Sequence, residues 1–136
     1  GDILLNVELK GENTAVPTAS ILKDFITNTK WEVDQLIVSS FDWKELTIFK
    51  NQNTNIPIGV LNENHTIDET IEMAIALKAI AIHPNFSSLN QDIVNTIHKA
   101  GFKIYSWTIN EPAAISNAIK FGIDGIITDF PDRISK

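Results

Sequence analysis

Six short apolar segments alternate with longer segments of helical spacing, and this alternation confines the chain to a parallel sheet with helical crossovers. The apolar segments are 3–9, 36–41, 58–61, 79–83, 103–109 and 125–128. They are rich in β-branched residues and apolar at successive positions, as strands covered on both faces are. Between them lie helical faces. Ile21, Leu22, Phe25 and Ile26 make the first. Ile71, Ile75 and the alanines around them make a second. Ile93, Val94 and Ile97 make a third, and Ala114, Ile115, Ala118 and Ile119 a fourth. A shorter helix is expected over 42–50.

The punctuation between elements agrees. Thr66 with Glu69 three residues on is a capping-box pattern. Asp42 and Ser88 have the chemistry of N-caps. Gly101 and Gly122 stand where helices should stop, each just ahead of a strand. The polar stretch 51–55 reads as an exposed loop. Strict β–α order fits two architectures, an open doubly wound sheet or a segment of an eight-stranded (β/α) barrel. A full barrel takes about 250 residues, so at 136 residues the open sheet is the default and periodicity leaves both available.

Composition narrows the partners. The net charge is -6, and clustered Lys and Arg are what a nucleic-acid backbone or an anionic membrane requires. A small anionic substrate needs only a local cation and stays possible. With no cysteine there is no disulfide framework, thiolate nucleophile or thiolate zinc site. No apolar run approaches the roughly 20 residues of a membrane span. No signal-peptide pattern is seen. A cytoplasmic location is the expectation.

In parallel α/β folds chemistry gathers at the C-terminal ends of strands. Those ends here are Glu8 and Lys10, then Ser39 to Phe41, Asn62, His83 to Asn85, Trp107 to Asn110, and Thr128 with Asp129. Alternation puts Asn6, Glu8 and Lys10 on one face of an otherwise apolar strand. A charge there needs an ionic partner or a metal. On spacing alone an ordinary Glu–Lys pair is the commoner outcome. Trp107 ends a strand, where a large aromatic is more often core than ligand contact. Asp129, ahead of Pro131, suits a loop hydrogen bond better than catalysis. Of the three histidines, His65 and His98 have surface contexts, and His83 lies closest to the presumed mouth. No Gly-rich phosphate loop is present.

The order of short motifs goes further. Asn6-Val7-Glu8-Leu9-Lys10 resembles the N-x-E-x-K strand of glycerophosphodiester phosphodiesterases. Val38-Ser39-Ser40-Phe41, Ile58-Gly59-Val60-Leu61 and Ile82-His83-Pro84-Asn85 follow in that family's order, then Trp107-Thr108-Ile109-Asn110 and the run from Gly122 to Asp129. The resemblance covers essentially the whole chain. It implies a TIM-type (β/α) barrel, of which this chain supplies strands three to eight, about six of eight βα units. It implies hydrolysis of a glycerophosphodiester to glycerol 3-phosphate and an alcohol, with a divalent cation, Ca2+ or Mg2+. By the same resemblance Glu8 is a metal ligand, Lys10 a catalytic contact to the phosphate, and Trp107 and Phe41 contacts to the substrate.

The family's H-R-G, E-x-D and H-D motifs, which carry the acid and base histidines and two further metal ligands, are not in this sequence. The expectation is therefore a single partial barrel domain over 1–136, without its first two strands and inactive alone. It would work with an N-terminal segment or as a homo-oligomer. A non-catalytic half-barrel that binds a ligand or self-assembles is the alternative.

Overall fold

The computed structural model describes residues 3–134. Six strands form one all-parallel sheet: β1 (Leu5–Glu8), β2 (Leu36–Ser40), β3 (Ile58–Asn62), β4 (Ala81–Pro84), β5 (Lys103–Ser106) and β6 (Gly125–Ile126). Five helices connect them: α1 (Ala15–Asn28), α2 (Trp43–Lys50), α3 (Ile67–Leu77), α4 (Gln91–Lys99) and α5 (Pro112–Phe121).

Spatial order equals sequence order, β1 to β6, so every strand pairs with its neighbour in the chain. A doubly wound sheet reverses its order at a switch point. This sheet has no reversal; it winds one way and curls into a half-barrel. The default of an open doubly wound sheet is thereby corrected.

The core lies between the outer face of the sheet and the helices. Leu36, Val38, Ile58, Val60, Ile82 and Ile104 meet Ala19, Leu46, Phe49, Ala74 and Ile97 there. Three residues expected on buried helix faces are instead exposed: Ile21 at 65%, Ile75 at 61% and Ile119 at 56%. The buried positions are Ala15, Ala19 and Leu22 in α1, Thr70, Ala74 and Leu77 in α3, and Ile115 and Ala118 in α5. Ile75 and Ile119 each follow a buried alanine, and Ile21 precedes Leu22. One residue is about 100° around a helix, enough to turn each isoleucine off the sheet. The strands β1 and β6 also differ from expectation. They are only partly buried, because each has a single neighbour in the sheet.

Thr66 and Glu69 make the reciprocal capping box, and Asp42 caps α2 through the amides of Lys44 and Glu45. Gly101 and Gly122 follow α4 and α5 with φ of 91° and 75°. Ser88 is not a cap. It closes a 3-10 turn, and Asn90 caps α4 through the Ile93 amide.

The start of α1 is held from another helix. Its own N-cap residue, Thr14, gives no side-chain cap. Glu45 of α2 accepts from the amides of Ala15 at 2.8 Å and Asn13 at 2.9 Å. These backbone hydrogen bonds hold the Glu45 carboxyl below its ordinary value of 4.5. A carboxyl depressed in the folded state stabilises fully above its unfolded pKa, and the gain disappears as pH falls through the folded value. Glu45→Gln is therefore expected to be less stable than the parent at neutral pH. That gap should close as the pH drops below 4.5. Urea midpoints for both proteins across that window test it, and a pH-independent gap would refute the assignment.

Candidate active site

Curling brings the C-terminal strand ends toward one another. Phe41 follows β2 and Trp107 follows β5, which would stand about 14 Å apart in a flat sheet with two strands between them. Their ring centroids lie 5.1 Å apart at 87°, edge to face. The two residues expected at the substrate thus form one aromatic wall across the tops of β3 and β4. Phe41 is 40% exposed and Trp107 half-buried. The indole Nε1 donates to the His83 carbonyl at 2.8 Å, which fixes one edge of the Trp107 ring.

Glu8 ends β1 on the same rim, in register with Ser39 of β2. Its Oε2 lies 3.8 Å from Lys10 Nζ, whose side chain is 79% exposed. A pair that open to solvent contributes little stability. Glu8 Oε1 is different, being enclosed and without any hydrogen-bond partner among the described residues. Two residues earlier, Asn6 Oδ1 accepts from Ser39 Oγ at 3.1 Å, tying β1 to β2 below the rim.

An orphaned, enclosed carboxylate oxygen at a strand end suits a cation ligand. A hard divalent cation takes about six oxygens or more. Among the described residues no three His, Asp or Glu side chains gather to hold one. Glu8 fits as a single ligand, and the described residues do not complete the set.

Of the three histidines, only His65, between β3 and α3, lies in a loop at the rim end of the sheet. His83, the one expected nearest the mouth, sits with its ring on the concave face of the sheet, over Gly59 and 5.3 Å from Tyr105. It is 1% exposed, and burial pushes its imidazole down to about 4, so it is neutral at physiological pH. His65 stacks on Trp43 at 3.9 Å. His98, in the last turn of α4, pairs with Asp124 at 2.9 Å, at the opposite end of the sheet from the rim.

A cavity of about 300 Å³ opens on the concave face, lined by Leu4, Asn6, Ile37, His83, Tyr105 and Ile126, among others. Several lining residues come from the N-terminal ends of strands, so it lies beneath the rim and includes neither Glu8 nor Trp107. Sequence reasoning missed the role of Asn110, which bonds Thr128 and Asp129 across the β5 and β6 loops. Its place in the Trp-Thr-Ile-Asn run was the one available signal. Asp129 does take the loop hydrogen bond expected of it.

The chain resembles known proteins over nearly its full length. A family model described as the glycerophosphoryl diester phosphodiesterase family matches residues 6–133. A glycerophosphodiester phosphodiesterase of Caldanaerobacter subterraneus is 30% identical over 98% of this chain and 54% of its own length. One from Bacillus altitudinis is 32% identical over 98% of this chain and 55% of its own. An Oleispira antarctica phosphodiesterase, solved in complex with the product sn-glycerol-3-phosphate, superposes with a TM-score of 0.82 at 26% identity, over 96% of this chain and 53% of that one. The chain thus spans about half the length of the curated relatives it matches. No helix among the described residues is long and apolar enough to cross a membrane.

Proposed function

Because this chain belongs to the glycerophosphoryl diester phosphodiesterase family, we propose that it supplies the phosphate-facing part of a site that hydrolyses glycerophosphodiesters to glycerol 3-phosphate and an alcohol. Glu8 carries this reading: its enclosed oxygen has no partner, at the strand end where such barrels do their chemistry. In this reading Glu8 is one ligand of a divalent cation, calcium or magnesium, and the other ligands come from outside the described residues. When bound, that cation supplies Lewis-acid stabilisation of phosphate charge.

Lys10 works without it. Its ammonium is exposed and 3.8 Å from Glu8, free to swing onto a phosphate oxygen and offset charge that builds during attack. Phe41 and Trp107 form the apolar wall against which the glycerol carbons rest. The proton-transfer groups belong to two further βα units, which bring the family's H-R-G, E-x-D and H-D motifs and pair with the open edges of β1 and β6. Two more strands make eight, the number that closes such a barrel. A purely binding half-barrel is not favoured, since the relatives bear the name of an enzyme.

Co-expression of this chain with a segment carrying those motifs tests the proposal. Hydrolysis of glycerophosphocholine and glycerophosphoethanolamine is expected from the pair, with calcium or magnesium, and not from this chain alone. No turnover by a folded, assembled pair would overturn it. In that pair Trp107→Ala is expected to raise KM by about tenfold with kcat nearly unchanged, since the wall contacts ground and transition states alike. Loss of a cooperative melt in this variant would instead mark Trp107 as a core residue.

A further inference from the structure

We propose that Asn110 and Asp129 form a clasp that sets the position of Trp107 at the rim, which makes Asn110 a positioning residue for substrate binding; this rests on the function proposed above. Asn110 spends its polar groups on the β6 loop. Its Oδ1 accepts from Thr128 Oγ1 at 3.1 Å and from the Asp129 amide at 3.0 Å. Its Nδ2 donates to Asp129 Oδ2 at 2.8 Å. Its carbonyl accepts from Arg133 Nη1 at 2.8 Å, and that guanidinium packs 3.9 Å from the centre of the Phe130 ring.

The stretch between Ser106 and Asn110 is pinned alternately to its two neighbours. Trp107 bonds toward β4: its amide donates to Pro84 at 3.3 Å, and its carbonyl accepts from Phe86 at 2.9 Å. Ile109 bonds toward β6, its amide donating to the Ile127 carbonyl at 2.9 Å. Asn110 is the far anchor of this short span, and Trp107 stands at the near end.

The indole itself has one hydrogen bond, to the His83 carbonyl, and one aromatic neighbour, the partly exposed Phe41. That bond fixes one edge of the indole, and the backbone that carries the ring sets how its other edge meets Phe41. Slack at Asn110 is transmitted along three residues to the wall. The Nδ2–H to Oδ2 bond is charge-assisted and belongs to the stronger class of hydrogen bonds. It is the one contact here whose donor and acceptor can be exchanged between the two positions without changing side-chain size.

That exchange is the test. Asn110→Asp sets two carboxylates against each other where an N–H met an oxygen. Adding Asp129→Asn returns a donor to the pair, now from the other side. In this chain, Asn110→Asp is expected to shift the indole N–H resonance of Trp107, assigned with Trp107→Phe, and the double variant to return it. In the completed barrel the same change is expected to raise KM by about tenfold, with kcat little altered and the double variant restored. An unmoved resonance in Asn110→Asp, or a shift that the second substitution does not reverse, overturns the clasp. A barrel that turns over no glycerophosphodiester overturns the function instead, and the resonance still decides the clasp.

Discussion

Glu8→Ala is expected to lower kcat/KM for glycerophosphodiesters in the completed barrel by about a hundredfold or more while the melting temperature stays close to that of the parent. The two halves of this expectation have different physical sources. Removing one preorganised electrostatic contact from a transition state costs about a hundred- to a thousandfold in rate. The fold loses little, because among the described residues the one ionic contact of Glu8 is a 3.8 Å pair with an exposed lysine. Its enclosed oxygen has no partner whose loss would be felt, and a desolvated, unpaired carboxylate oxygen is a cost to the folded state. Glu8→Gln separates charge from size and should lose activity to a similar extent. Kinetics in parallel with a thermal melt decide the matter. Full activity in either variant would remove Glu8 from the site, and a collapsed melt would make it structural.

Gly59→Ala is expected to destabilise the chain by about 1–3 kcal/mol, the usual cost of forcing a group into a packed interior. A Cβ on Gly59 would lie 2.3 Å from His83 Nε2 and 2.6 Å from Cε1. The imidazole lies against the strand because no side chain separates them, and a Cβ there must push the ring toward the concave-face cavity it lines. Gly125→Ala repeats the design on the other flank, with a Cβ 2.7 Å from Tyr105 Cδ1. Its effect should be smaller, since Tyr105 is only half-buried beside the edge strand β6. Denaturant midpoints for both variants test this. Combining Gly59→Ala with His83→Ala should cost less than the sum of the two, because the substitutions share one clash. Strict additivity would mean that the ring does not cause the loss.

The backbone conformation of Gly59 gives no hint of this requirement, as its φ is not positive. In the sequence it is one more residue in an apolar strand. The same holds for Glu45, a charged residue inside a short amphipathic helix, whose partners are amides some thirty positions earlier. Neither role is local, so no periodicity or spacing could disclose it. The rim residues were more legible. Glu8, Lys10, Phe41 and Trp107 lie at or just beyond strand ends, and strand ends can be found from apolar runs and the glycines and caps between them. Their order along the chain carried the family resemblance as well.

Short-range chemistry was thus settled by the sequence. The alternation of strands and helices, the capping box at Thr66 and the left-handed glycines after α4 and α5 all depend on a few neighbouring residues. So does the placing of polar groups at strand ends. Tertiary structure decided what depends on direction in space. Strict β–α order serves a doubly wound sheet and a barrel equally; only the unreversed pairing of β1 through β6 selects the curl. That curl then carries Phe41 to Trp107 across two intervening strands and buries His83 away from the mouth. A sequence fixes which side chains a strand offers to each face, but whether a face becomes an interior depends on how the strands close around it.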